Sequence, residues 1–273
     1  MIVKNNLNAL TANRSSESTQ SARAKSNEKL SSGQKINRGA DDAAGLAISE
    51  KMLRQIYALS KATANAQDGI SSIQTADGAL NQVNDMLNRM NELGVRAGNE
   101  TIGAEERYAI EAEMNALRSE VDRIAETTTF NDQKLLDGSF DGKRLQVGSE
   151  VNDANQININ IGRMDWSALS ANASISVERD QLAGTMEGIR SALASVSTMR
   201  SDLGAVQNSL GSTISNLRNA TENAMAANSS IRDTDMASEM IKKSSQNILA
   251  QAQHSVQAQA NQNNRNVLGL LNG

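Results

Sequence analysis

The sequence predicts a mainly α-helical protein, a long antiparallel helical bundle or coiled coil with a small β-hairpin region. Three observations predict it. Leu182, Met186, Ile189, Leu193, Val196, Met199, Leu203, Val206 and Leu210 step by four and three, and Ile214, Leu217 and Ala224 carry the stripe on. That spacing, about 3.5 residues, buries one edge of a helix against partners. Two further stretches carry seams of matching period, so joint burial in an antiparallel bundle is their simplest outcome. Finally, the 273 residues include no proline, and aromatics make up only 2%. Helices therefore run uninterrupted, and thin helix–helix interfaces built from Ala, Leu, Ile, Val and Met replace a thick aromatic core.

The first seam helix starts after Asp41 or Asp42, either of which can cap it, and runs from about 43 to 97. Met52, Ile56, Leu59, Ala66, Ile70, Ile73, Leu80, Val83, Leu87 and Met90 mark its buried edge. Gly69 and Gly78 fall inside it at about 1 kcal/mol each against alanine. The seam resumes after both, so the helix is read as continuous. Gly98-Asn99 and Ile102-Gly103 form a turn. A second helix covers about 104 to 127, with Glu105 and Glu106 in the first turn, where the helix dipole favours acids. Its seam is Ile110, Met114, Leu117, Val121 and Ile124.

The period then changes to two. Leu145 and Val147, and Ile157, Ile159 and Ile161, alternate with polar neighbours, while Asp137-Gly138 and Asp141-Gly142 are turn pairs. A β-hairpin region is expected over 133–162. A loop with Trp166, Ser167, Ser170 and Ser174 leads to the long seam helix. That helix is expected to break, with caps, after about Ala227, within Asn228-Ser-Ser-Ile-Arg-Asp-Thr-Asp235.

Both ends carry weaker amphipathic segments. Residues 3–32 read as a helix with Val3, Leu7, Leu10, Ala22 and Leu30 as its stripe, stopped by Gly33. Seven basic residues face only Glu17 and Glu28 over the first 40 positions, and composition by itself favours a frayed basic tail here. The last segment reads as a helix with Met240, Ile241, Ile248, Leu249, Ala252, Val256, Val267, Leu268, Leu270 and Leu271 on one face. Gln246, Asn247, Gln251, Gln253, Gln257, Gln262 and Asn263 form the other. Uncharged amides suit close packing of identical neighbours or the lining of a polar channel; a disordered amide-rich tail fits the composition equally. Ends too weak to fold alone, flanking a self-sufficient bundle, suit a protein that assembles with itself. Leu7, Leu10, Ile248, Val256, Leu268 and Leu271 are the candidate self-assembly residues.

Several function classes are disfavoured. Formal net charge is −4 and pI ≈ 5.2, which argues against nucleic acid as the main partner. No apolar run is long enough to span a membrane, and Met1-Ile2-Val3-Lys4-Asn5-Asn6 lacks the apolar stretch of a cleaved secretory signal. With no cysteine there are no disulfides or thiolate metal sites. The one histidine, His254, lies in the amide-rich segment. Neither a paired-acid, a phosphate-loop nor a metal constellation is present, so no enzyme, cofactor or metal site is expected.

Many short motifs, in order along the chain, resemble bacterial flagellin. They include Asn5-Asn-Leu-Asn-Ala-Leu10, Leu30-Ser-Ser-Gly-Gln-Lys-Ile-Asn-Arg-Gly-Ala-Asp-Asp-Ala-Ala-Gly-Leu-Ala-Ile48 and Ile73-Gln-Thr-Ala-Asp-Gly-Ala-Leu80. Phe130-Asn131, Leu135-Leu-Asp-Gly138, Leu203-Gly-Ala-Val-Gln-Asn208 and Ile231-Arg-Asp-Thr-Asp-Met236 extend the match. The resemblance covers about 1–162 and 180–273.

This resemblance implies paired N- and C-terminal helices in an inner, filament-core domain of residues 1–42 plus 234–273, with a helical rod domain over 43–233. It implies a structural subunit of the extracellular flagellar filament used for motility, without the large outer insertions of longer members. A hook–filament junction protein is the alternative within the same superfamily. Implied partners are sister subunits, the flagellar type III export apparatus, a flagellin export chaperone, and the filament cap and hook-junction proteins. Export without a cleaved signal is part of the same expectation, and a chain lacking cysteine and proline is free of crosslinks and slow X-Pro isomers. Vertebrate Toll-like receptor 5 is a further implied partner. The family's receptor-contacting residues fall on Arg89, Leu93 and Glu113, while Asn91 and Gly94 depart from the family's Arg and Ala. By spacing alone, Leu93 is a seam residue and Arg89 and Glu113 are solvated surface. The resemblance also brings O-glycosylation, for which Ser167, Ser170 and Ser174 are candidates.

Overall fold

The computed structural model describes residues 6–170, 174–178 and 180–271, the side chains of 264 and 267–271 excepted. Six helices and four short strands run in the order α1 (Leu7–Ser32), α2 (Ala43–Ala97), α3 (Ala104–Thr127), β1 (Thr129–Phe130), β2 (Gln133–Lys134), β3 (Lys143–Gln146), β4 (Gln156–Ile159), α4 (Trp166–Leu169), α5 (Leu182–Arg232) and α6 (Met236–Leu271). The packing divides into two compact units, one of residues 57–222 and one of 1–56 with 223–273.

In the 57–222 unit, α2, α3 and α5 bury the expected seams. On α2 the buried apolar positions are Leu59, Ala62, Ala66, Ile73, Ala76, Leu80, Val83, Leu87, Met90, Leu93 and Ala97; on α3 they are Ile110, Met114, Val121, Ile124 and Ala125. The α5 seam differs in detail. Ala192 occupies its centre between Ile189 and Val196, and Leu193 packs from the flank.

The β region is built on this bundle. β3 and β4 pair antiparallel, Lys143 opposite Ile159 and Gln146 opposite Gln156. Val147, Ile159 and Ile161 are buried, as the alternation predicts. Gly69 lies under the hairpin. A Cβ on it would meet Leu145 Cδ2 at 2.5 Å, so the Leu145 side chain rests directly on the α2 backbone and would have to shift for any larger residue. Gly78 has open space around it. Gly78→Ala should therefore stabilise the protein by about 1 kcal/mol through helix propensity and a less flexible unfolded chain, read as a raised midpoint in urea unfolding.

A second ladder, β1–β2, is not foreseen in the sequence. Its turn residues Asn131 and Asp132 both have positive φ, 50° and 61°, the geometry of the tight turn that matches strand twist. The stretch read as a loop is likewise anchored. Trp166 is buried at the start of α4, and its backbone N–H donates to Asp122 Oδ1 at 2.8 Å. Ser170 is buried and donates to the Trp166 carbonyl, which removes it as a glycosylation candidate; Ser167 and Ser174 are exposed.

In the other unit α1 pairs with α6. Gly33, at φ 71°, ends α1 in the left-handed conformation, its N–H donating to the Lys29 carbonyl. Asp42 caps α2 by accepting from the Gly45 N–H at 2.9 Å, and Asp41 accepts from the Arg38 and Asn37 N–H groups within the preceding loop. Those two backbone donors hold the Asp41 carboxyl below its usual pKa. The break falls at the end of the expected stretch 228–235, and α5 continues to Arg232. The Asn228 side-chain oxygen accepts from the Ser49 hydroxyl at 2.7 Å, and Ser230 bonds back to the Ala227 carbonyl. These polar groups are satisfied within or across helices and have no need to terminate one. The break falls at Asp233–Asp235, where Thr234 N–H donates to the Gly33 carbonyl and Asp235 caps α6 through the Ala237 and Ser238 N–H groups.

Candidate assembly and recognition surfaces

The α1–α6 pair is antiparallel, as its cross-links show. The Asn6 amide donates to the Ala260 carbonyl at 3.1 Å, Gln253 donates to Ser15 and Thr19 at 2.9 Å each, and the Ser26 hydroxyl donates to Glu239 at 2.7 Å. Facing positions are mostly small or polar. Half-buried and buried residues on α1 are Ala9, Ala12, Ser16, Thr19, Ala22, Arg23, Ser26, Glu28, Lys29 and Leu30; on α6 they are Glu239, Lys243, Gln246, Asn247, Ala250, Gln253, Gln257 and Ala260. Small side chains let two backbones approach closely without large apolar knobs.

Most of the leucine and isoleucine of the two stripes does not close the pair, although Ala22 and Leu30 are half-buried. Leu7 and Leu10 on α1, and Met240, Ile241, Ile248, Leu249 and Val256 on α6, are exposed. Of the amide face of α6, Gln246, Asn247, Gln253 and Gln257 turn inward, while Gln251, Gln262 and Asn263 are exposed. Leu268 and Leu271 belong to the α6 backbone, but their side chains lie outside the described residues. The inward face is also incompletely satisfied: the side-chain oxygens of Gln246, Asn247 and Gln253 are buried without a hydrogen-bond partner. Such groups cost of order 1–3 kcal/mol each. A groove of about 590 Å³ runs between the two helices, floored by Ala12, Leu249, Ala252 and Val256.

Among the described residues of this unit Glu239 is the one charged residue that is buried, 6% exposed. The Ser26 hydroxyl is the main cause holding its carboxyl below the usual range; burial opposes this, and Lys242, at 3.3 Å, and Lys29 on α1 assist. A carboxyl depressed in the folded state stabilises fully above its unfolded pKa, here about 4.5, and loses that contribution as pH falls through the folded value. Acidification below pH of about 4.5 should therefore weaken the α1–α6 pair. Glu239→Gln should remove that part of the pH dependence, measured as amide exchange in α1 between pH 6 and 3.

On the 57–222 unit, Arg89 and Glu113 meet across α2 and α3. The Arg89 guanidinium donates to Glu113 Oε1 at 2.9 and 3.1 Å and to Glu92 at 3.3 Å. Both Glu113 and Glu92 keep the Arg89 pKa raised, with Glu113 the larger cause. The pair is exposed. Leu93 is not on this surface. It is 2% exposed and packs in the core, because the seam of α2 passes through position 93 while Arg89 projects beside it. His254 is exposed on α6. Among the described residues no group of three His, Cys, Asp or Glu side chains could hold a metal ion, and no helix is long and apolar enough to cross a membrane.

The fold thus defines a mainly helical protein whose paired chain ends leave large apolar side chains, among them Leu7, Leu10, Ile248, Leu249 and Val256, exposed. Residues 3–141 match the bacterial flagellin N-terminal helical region, and residues 186–271 the bacterial flagellin C-terminal helical region. The flagellin of Halalkalibacterium halodurans is 46% identical over 273 residues, covering 99% of this chain and all of the relative. A flagellar filament 31.3 kDa core protein of Treponema maltophilum is 41% identical over 285 residues, with 99% and 100% covered. A solved structure assigned to a flagellar hook-associated protein of Vibrio parahaemolyticus shares the fold at a TM-score of 0.60 and 13% identity, covering 71% of this chain and all of that one. The chain belongs to the bacterial flagellin family, a family of structural subunits of the flagellar filament.

Proposed function

We propose that this chain polymerises through its terminal helices, residues 1–42 and 234–273, into the helical flagellar filament used for motility, with residues 43–233 as the surrounding rod. One observation carries the reading: in the isolated chain α1 and α6 pair mostly by small and polar side chains, while Leu7, Leu10, Met240, Ile241, Ile248, Leu249 and Val256 face solvent. Exposed apolar surface on that scale marks an interaction site. A second copy's terminal helices would bury it and offer donors to the orphaned amide oxygens. Full-length relatives named as flagellins and as a filament core protein support the same assignment. The hook-associated neighbour shares only the fold, so the junction role is the second reading. Electron microscopy of purified protein at neutral pH, with seeded growth, separates them. Filaments that elongate to micrometres support the proposal, and short rings that stop support the junction protein.

The same reading brings the further partners. The subunit leaves the cell through the flagellar type III apparatus, held beforehand by an export chaperone, and is inserted beneath a filament cap on the hook-junction proteins. Toll-like receptor 5 would meet the exposed Arg89–Glu113 pair. Leu93 would then act from beneath, holding the α2 surface in shape.

A further inference from the structure

The chain contains two phenylalanines and two tyrosines, and their placement is uneven. Both phenylalanines line one groove of the 57–222 unit, about 550 Å³, floored by Phe130, Phe140, Leu145 and Ile159 and rimmed by Asp68, Lys143 and Arg144. Both tyrosines lie on the surface, Tyr57 67% and Tyr108 73% exposed. A large ring with one polar edge, left in water beside an unfilled aromatic groove, is the composition of an interface anchor and its socket.

Charge selects between the two rings. Tyr57 is flanked on its helix by Arg54 and Lys61, whereas Tyr108 is flanked by Glu105, Glu106 and Glu111. Arg107 points away, donating to the Asn99 and Ile102 carbonyls. No ion pair involves Glu105, Glu106 or Glu111 among the described residues. On the groove rim Lys143 is likewise unpaired, and Arg144 has only a 3.8 Å contact with Asp153. The acidic end of α3 complements the basic rim; the surroundings of Tyr57 would repel it.

Tyr108 cannot fill the groove of its own chain. Helix α3 runs from Tyr108 to Thr127 before Phe130 begins the groove, a rise of about 29 Å at 1.5 Å per residue. We infer that Tyr108, with Glu105, Glu106 and Glu111, docks in the Phe130–Phe140 groove of a second copy, against Lys143 and Arg144. Ring and socket are different surfaces, so the contact is heterologous. Each copy that gives a tyrosine keeps an empty groove, and the contact propagates instead of closing. This deepens the filament proposal and rests on it.

The absence of cysteine makes the test direct. Full-length chain carrying Tyr108→Cys and Lys143→Cys is polymerised and oxidised with diamide, then run on a non-reducing gel. A ladder of trimers, tetramers and longer species is expected, since the two thiols of one chain are too far apart to join. Filaments that yield only monomer overturn the contact while leaving the filament reading standing. Dimers alone overturn its propagation. Failure of the unaltered chain to form filaments overturns both. If only the cysteine variant fails to assemble, charge exchange decides. Lys143→Glu with Arg144→Glu should slow seeded elongation about tenfold, the loss of roughly one interface anchor, and adding Glu105→Lys and Glu106→Lys to the same chain should restore it. No restoration overturns the inference.

Discussion

A chain trimmed to residues 43–233 stays folded and helical and forms no filament. The fold is expected to survive because the main core, from Ala66 to Ile214, lies wholly within the 57–222 unit. Segments 43–56 and 223–232 keep partners in each other, with Ser49 donating to Asn228 and Arg232 to Glu50. Polymerisation is lost because trimming removes Leu7, Leu10, Met240, Ile241, Ile248, Leu249 and Val256 together, the exposed apolar set of the chain ends. Burying side chains of this size contributes about 1.5–3 kcal/mol each when complete, so their joint removal exceeds what any remaining contact could supply. Circular dichroism should show a cooperative helical transition, and seeded light scattering should show no growth. Filaments from the trimmed chain would place assembly in the rod.

Leu93→Ala lowers stability by about 2–5 kcal/mol, the cost of a cavity at a fully packed leucine, whereas Arg89→Ala leaves the unfolding midpoint essentially unchanged. The contrast follows from position. Leu93 is buried among the seam residues, while Arg89 and its partner Glu113 are each about half exposed, where ion pairs contribute little to folding. Receptor binding should respond the other way. Arg89→Ala should weaken Toll-like receptor 5 binding by an intact protein. Leu93→Ala should weaken it only as far as the fold is lost, so binding should recover at temperatures where the variant remains native. Unfolding curves and binding isotherms on the same samples separate the two effects.

The long seams are legible because their physics is local and repeated. An apolar residue every three or four positions specifies α2, α3 and α5, and the bounds 43–97 and 104–127 coincide with the caps at Asp42 and after Thr127. Gly33 is legible as a stop because few other residues adopt its backbone angle. The hairpin shows in the alternation at 145–147 and 157–161. The terminal helices are harder to read. Their inward faces hold Ala, Ser, Thr and amides, while the leucines that a hydrophobic pattern sends inward face solvent. On the proposed reading, the pattern reports where apolar side chains would end in the assembled state, which one chain does not contain. Where within 228–235 the helix ends is not legible, because the partner of Asn228, Ser49, is far away in sequence. Leu93 shares a nominal helix face with Arg89, yet a seam passing between them buries one and not the other.

Amide hydrogen exchange in α1 and α6, compared between monomer and polymer, tests the central claim most directly. Rapid exchange in the monomer and strong protection in the polymer are the predicted result, with the 57–222 core protected in both. Equal, complete protection of α1 and α6 in a dilute monomer would contradict it, because the chain ends would then need no sister molecule to complete them.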